Sequence, residues 1–389
     1  MKWEKVKLGD IATCIQPGPF GSQLHNSDYS KEGTPIIMPK DIVGGAIVHS
    51  GLLKVSEEHV KRLSRHQVYE GNLMVARKGD VRKCAYITAN ENGWMTGSDC
   101  LKVVLDESKC YPKFIYYQLR SEHIGRWLEK VSIGATMPSL NTGLLSGIEM
   151  VLPPIEIQKQ IAGILSAYDD LIENNQKQIK LLEEAARRLY KEWFVDLNFP
   201  GHENTKIVDG VPEGWRISSI YDVFDIKYGK NLPTSKITKV GQYPVYGASG
   251  VIGYYNEKNC DDYVTLVTSR GNGSGDVFRT HHKQSYVTNN SFIARRNDKN
   301  IFIKNEFTFQ LFSNTDFKKL CTGSAQPQLT NTSIQKIKIF LPNRQLIEKY
   351  QRCTIEMSEK QEVLYKEQRA LTQARNRLLS KLINGTVEV

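Results

Sequence analysis

The segment GATMPSLNTGLLSGIEMVLP, starting at residue 134, returns 189 residues later as GSAQPQLTNTSIQKIKIFLP. Gly134, Pro138, Leu140, Ile148, Leu152 and Pro153 match Gly323, Pro327, Leu329, Ile337, Leu341 and Pro342 without a gap. The same offset continues in Leu182 and Leu371, and in Leu189 and Leu378. Further upstream, Trp3, Leu8, Asp10 and Ile11 echo Trp215, Ile220, Asp222 and Val223 at an offset of 212. The second copy is therefore 23 residues shorter before its junction, a difference that surface loops absorb. An internal repeat of this kind makes the chain two copies of one unit, and 389 residues give room for both.

After each Leu-Pro the texture changes. Residues 157–195 hold no proline and one glycine, Gly163. Leu165, Tyr168, Ile172, Ile179, Leu182, Ala186, Leu189 and Trp193 recur at steps of three and four, with Asn175 in the remaining seam position. This heptad pattern predicts a long helix with one apolar seam. In the second copy Tyr350, Met357, Leu364, Leu371 and Leu378 stand seven apart, with the poorer alternates Gln361, Gln368 and Arg375. The two seams should face each other in antiparallel fashion, bringing the tail back to the N-terminal part. Asn175 reads as a register-fixing polar residue. The bland alternative is two unrelated amphipathic surface helices, which the shared register disfavours.

Residues 1–154 and 197–343 have short β-type runs such as Leu73–Ala76 and Tyr263–Val267, separated by turn clusters, and a helix is expected in each, Lys113 to Leu128 and Asn305 to Leu320. The fold class is thus α+β: globular parts over 1–154 and 197–343, each followed by a long helix, over 155–196 and 344–389, the helices packing as an antiparallel coiled coil. Of the net charge of +10, the globular parts carry +3 and +6, and the first long helix is acidic. A polyanion partner would lie along the globular parts.

Catalytic signatures are missing. There is no P-loop, no His-Glu-x-x-His and no Gly-x-Ser-x-Gly. Pro153-Pro154 lacks the polar and aromatic neighbours with which an amino-methyltransferase holds its target base. No metal site is expected. Seven scattered cysteines without a C-x-x-C pair, no apolar run long enough for a membrane span and no secretory signal predict a reduced, cytoplasmic protein.

This plan resembles the specificity subunit of type I restriction-modification systems. The resemblance runs through Gly18-Pro19-Phe20-Gly21-Ser22, Pro244-Val245-Tyr246-Gly247-Ala248-Ser249-Gly250, both Leu-Pro junctions and the tail Leu378–Gly385, and covers essentially the whole length. It implies two target recognition domains, each reading one half of a split DNA site, held apart by the helices. It also implies two modification subunits that bind S-adenosylmethionine and methylate adenine, with restriction subunits joining that complex. This chain itself would bind no cofactor and catalyse nothing. The alternatives are a standalone two-domain nucleic-acid-binding protein, an enzyme of another type and a coiled-coil scaffold. DNA binding by the lone chain, turnover, or no salt-dependent DNA binding would mark each of them in turn.

Candidate DNA contacts follow from side-chain chemistry. Arg77-Lys78-Gly79 and Arg270-Gly271-Asn272-Gly273-Ser274 each follow a β-run in comparable places. Glycine lets backbone approach phosphate, and arginine reaches a guanine edge bidentately. The alternative is an ordinary basic turn. Pro19, Phe20, Gly21 and Ser22 could present an amide and a hydroxyl to DNA, or form a structural turn with Phe20 in the core. Tyr246 and Ser249 are similar. Asn289 and Asn290 are candidate adenine readers, because a carboxamide pairs with N6 and N7. Lys40 and Lys230 are candidate phosphate contacts.

Overall fold

The computed structural model describes residues 3–132, 138–323, 326–383 and 385–386. Gly134 of the first junction and Asn384 of the tail motif lie outside the described residues. The chain divides into two units: residues 1–173 with 369–389, and residues 174–368. Two 40-residue helices, Ile155–Phe194 and Arg344–Ile383, each contribute to both units.

In the first unit β1 (Glu4–Lys7) runs along the strand that ends at the Leu-Pro junction. The central antiparallel sheet holds β2 (Ala12–Pro17), with β3 (Thr34–Ile37) in a second sheet, and β4 (Leu73–Ala76) back in the first. β5 (Met95–Thr96) pairs parallel with β3. β6 (Cys100–Leu105) lies between β2 and β4, antiparallel to both, and Cys84–Tyr86 completes that sheet. Its strands are apolar because both faces are covered: all four residues of β4 are buried. β7 (Glu149–Leu152) pairs with β1 from Glu4↔Leu152 to Lys7↔Glu149.

The helix expected over Lys113 to Leu128 is two. α1 (Pro112–Leu119) starts on a proline suited to the first helical position. α2 (Glu122–Val131) starts afresh at Ser121, whose hydroxyl accepts from Ile124 N at 3.4 Å. The capping serine, which competes for backbone groups within a helix, explains the break.

Ile161, Ala162 and Leu165 of the first long helix join Leu379, Leu382 and Ile383 of the second in the core of this unit. The tail thus returns to the N-terminal domain, as the seam predicts. Asp169 accepts from the Tyr117 hydroxyl at 2.8 Å, lies 3.7 Å from Arg120, and pairs with Arg375. Arg375, a poor seam residue by apolarity, is used as an ion-pair partner.

The second unit repeats the plan. β8 (Arg216–Ser219) anticipates β14, and β9 (Phe224–Tyr228) opens the central sheet. β10 (Tyr243–Tyr246), β11 (Thr265–Thr268), β12 (Tyr286–Val287) and β13 (Ser291–Arg296) follow, before β14 (Lys338–Leu341) pairs with β8. The order β9–β13–β11, closed by Val277–Arg279, matches β2–β6–β4 of the first unit, and β10 pairs parallel with β12 as β3 does with β5. The helix expected over Asn305 to Leu320 is α3 (Asn305–Ser313), with a separate 3-10 turn at Lys318–Leu320.

The long helices run antiparallel here: Glu183 accepts from Tyr365 at 3.3 Å, while Ala186 O accepts from the Tyr350 hydroxyl at 3.1 Å. Tyr190, Trp193 and Phe194 pack their rings on Tyr350 at 5.9, 6.0 and 5.2 Å. Gln361 accepts from Arg279 and is buried.

Of the seam residues, Leu165, Asn175, Ile179 and Leu364 are buried, whereas Tyr168, Ile172, Leu182, Leu189, Met357, Leu371 and Leu378 are half-buried. The Asn175 side-chain nitrogen is buried and makes no hydrogen bond.

Candidate nucleic-acid interface

In each domain five segments meet at one end of the central sheet, and matched backbone hydrogen bonds gather them. Gly18 N donates to Cys100 O at 3.0 Å, and Gly229 N to Ser291 O at 3.0 Å. Gly97 N donates to Ile37 O at 2.9 Å, and Thr288 N to Tyr246 O at 3.0 Å. Arg77 N donates to Asp99 O at 2.7 Å, and Ser269 N to Asn290 O at 2.8 Å. Gly79 N reaches Pro138 O and Gly271 N reaches Pro327 O, both at 3.1 Å. The repeated junction is therefore part of the loop cluster: its proline carbonyl receives the amide of the glycine after the basic residue.

Two glycine positions are dictated by this crossing. A Cβ on Gly18 would lie 2.0 Å from Gly97 O, and one on Gly229 would lie 2.3 Å from Thr288 O. Gly79 and Gly271 take φ of +78° and +87°, a conformation that disfavours a side chain.

The first domain's cluster exposes Phe20, Gly21, Ser22, Lys40, Lys78 and Gly79. Pro19 is buried beneath them. Phe20 is 54% exposed, so it is not a core residue, and the Arg77 guanidinium sits 5.6 Å from its ring centroid. Lys78 is ion-paired to Asp99 at 2.9 Å. The Met38–Asp41 turn that carries Lys40 is held by Lys83, whose ammonium donates to Pro39 O at 2.9 Å.

The second domain's cluster exposes Lys230, Ser249, Arg270 and Asn272, with Asn289 and Asn290 half-buried. Two proposed contacts fall inside instead. Tyr246 is 2% exposed, because its ring packs in a buried cluster with Val264, Leu266, Val287 and Ile293; its hydroxyl accepts from His281 N and bonds His282 Nδ1, both at 2.8 Å. Ser274 is buried and donates to Ser269 O at 3.2 Å. Both hold the loops rather than face solvent.

The matched bonds also correct the alignment of the basic turns. Arg77 corresponds to Ser269, and Lys78 to Arg270. The two arginines are one strand position apart, so they are not counterparts.

A supporting layer escaped the sequence reading. Lys102, in the middle of β6, donates to Arg65 O at 2.6 Å and Gln67 O at 2.9 Å, and burial lowers its pKa. Gln16, just before Gly18, also donates to Arg65 O, at 2.6 Å. Arg62 donates to Gln23 O at 2.9 Å and pins the loop that carries Phe20. His66 is buried, and desolvation pushes its pKa down to about 4, so it is neutral at pH 7. A lysine inside the apolar run Cys-Leu-Lys-Val-Val-Leu was the available signal: a buried ammonium requires backbone oxygens.

Two repeated α+β domains, each presenting basic and amide side chains on glycine-bearing loops, are the build of a protein that binds a polyanion. The chain belongs to the type I restriction modification DNA specificity domain family, whose sequence profile matches residues 1–184 and 212–369. It is 23% identical to the type I restriction enzyme MjaIX specificity subunit of Methanocaldococcus jannaschii, across 100% of this chain and 94% of that one. It is 25% identical to the MjaVIII specificity subunit of the same organism, across 71% and 70%. The S subunit crystal structure from M. genitalium shares the fold, with TM-score 0.54, 19% identity and coverage of 98% and 96%. The chain is a DNA sequence-specificity subunit of a type I restriction-modification complex and is not itself the catalyst. Among the described residues no helix is long and apolar enough to cross a membrane.

Proposed function

We propose that the loop cluster at the end of each central sheet is the DNA-reading surface, one cluster per half of the split site. The single observation behind this reading is that the same set of backbone hydrogen bonds assembles the candidate residues in both domains. Arg77 and Arg270 reach base edges, Lys40 and Lys230 meet phosphates, and Asn272 and Asn289 offer carboxamides to adenine. Two methyltransferase subunits, carrying S-adenosylmethionine, complete the site and methylate adenine, and restriction subunits join them. The chain binds no cofactor of its own, and the complex works in the cytoplasm.

The modest charge of the domains, +3 and +6, makes the lone chain a weak DNA binder. Binding to the methylated motif is measured with and without the methyltransferase subunit across a salt series. Specific binding should need the partner, and log K should fall with log salt by about 0.9 per phosphate neutralised. Tight specific binding by the chain alone, or a flat salt response, contradicts the reading.

A further inference from the structure

We propose that the residue shared in position by Asp99 and Asn290 selects which cation of each domain reads DNA. The inference rests on the loop clusters being the reading surface. The two residues are equivalent because each gives its carbonyl oxygen to the residue that follows the corresponding inner strand, β4 or β11. One strand position on, Lys78 matches Arg270, since both precede the glycine that donates to the junction proline.

The chemistry at that shared place differs between the domains. In the first, Asp99 is a carboxylate, and it holds the Lys78 ammonium at 2.9 Å. The pair is neutral as a unit, and its anionic member repels phosphate and the acceptor edge of guanine alike. Arg77 is left to face DNA: its guanidinium lies over Phe20, and no carboxylate pairs with it among the described residues. In the second domain the counterpart of Arg77 is Ser269, fully buried, with its hydroxyl donating to Asn289 O at 3.2 Å. That position cannot reach DNA. Arg270 is exposed, its neighbour Asn290 is uncharged, and no ion pair holds it among the described residues. The reading cation therefore stands one residue further along the chain in the second domain than in the first. Asp99 thus silences Lys78, and Asn290 leaves Arg270 free.

The test uses the assembled methyltransferase complex, with the methylated motif read by single-molecule sequencing and affinity measured on a short duplex bearing it. Asn290→Asp should weaken specific binding at least tenfold and lose only the second half-site, as Arg270→Ala does. Combined with Arg270→Ala it should add nothing. Asp99→Asn should free Lys78, strengthen binding and steepen the salt dependence by about 0.9, one further phosphate. Glu32→Gln, removing an exposed carboxylate elsewhere in the same domain, should leave that slope unchanged. If Arg270→Ala abolishes the second half-site but Asn290→Asp leaves it intact, or if Asp99→Asn and Glu32→Gln behave alike, the selection by this position is wrong while the reading surface stands. If Arg77→Ala and Arg270→Ala are both without effect, the reading surface itself is wrong.

Discussion

Leu382→Ala should loosen the N-terminal domain, although residue 382 is about 250 residues or more from most of that domain in sequence. Leu382 is 1% exposed and shares a core with Ile161, Leu165, Phe114 and Leu379. Truncating a fully buried leucine costs about 2–5 kcal/mol, the transfer loss plus the cavity that is left. At about 1.4 kcal/mol per factor of ten, the open form of this unit becomes some thirty- to several-thousand-fold more populated. Hydrogen exchange followed by peptide mass spectrometry reads this directly. Amides of β6, α1 and residues 155–173 should exchange faster by factors in that range. An increase confined to the last turns of the second long helix, with β6 and α1 unchanged, would show that the tail is not part of this core.

Arg77→Ala should impair only the first half-site and Arg270→Ala only the second, each by about 1–3 kcal/mol of discrimination in duplex binding; equal loss at both halves would contradict independent reading. Because Arg77 stacks on an exposed ring, its removal should leave the melting temperature nearly unchanged. His66 has a folded pKa near 4 against 6.5 in its ordinary state, so the unfolded chain binds the extra proton first as pH falls. Its contribution is therefore intact above pH 6.5 and is lost progressively toward pH 4, by about 2 kcal/mol at pH 5. Urea melts of the protein and of His66→Gln should diverge across that window, and parallel pH profiles would contradict a buried neutral imidazole.

Much of the architecture was written locally. A seam repeating every seven residues and a junction repeating after 189 are periodic signals, and packing of a long helix obeys them. What escaped was decided by long-range partners. The two basic turns align by residue type at Arg77 and Arg270, yet the strand register sets Arg77 against the buried Ser269. For Tyr246 the turn residues around it fit a DNA contact and a structural role equally, and packing against Val264, Leu266, Val287 and Ile293 decides for the second. For Phe20 the same two readings stood open, and its exposed ring, beside the Arg77 guanidinium, rules out the core. The supporting trio Arg62, His66 and Lys102 is assembled from two short helical turns and a strand more than thirty residues apart, a pairing no local pattern carries.

The central claim is that each domain reads its own half of a split site. Residues 197–343 are replaced with the corresponding domain of a relative that has a different target, and the methylated adenine motif of the assembled complex is read by single-molecule sequencing. One half of the motif should change to the donor's, while the other half stays as it was. A change in both halves, or in neither with methylation intact, would contradict the account.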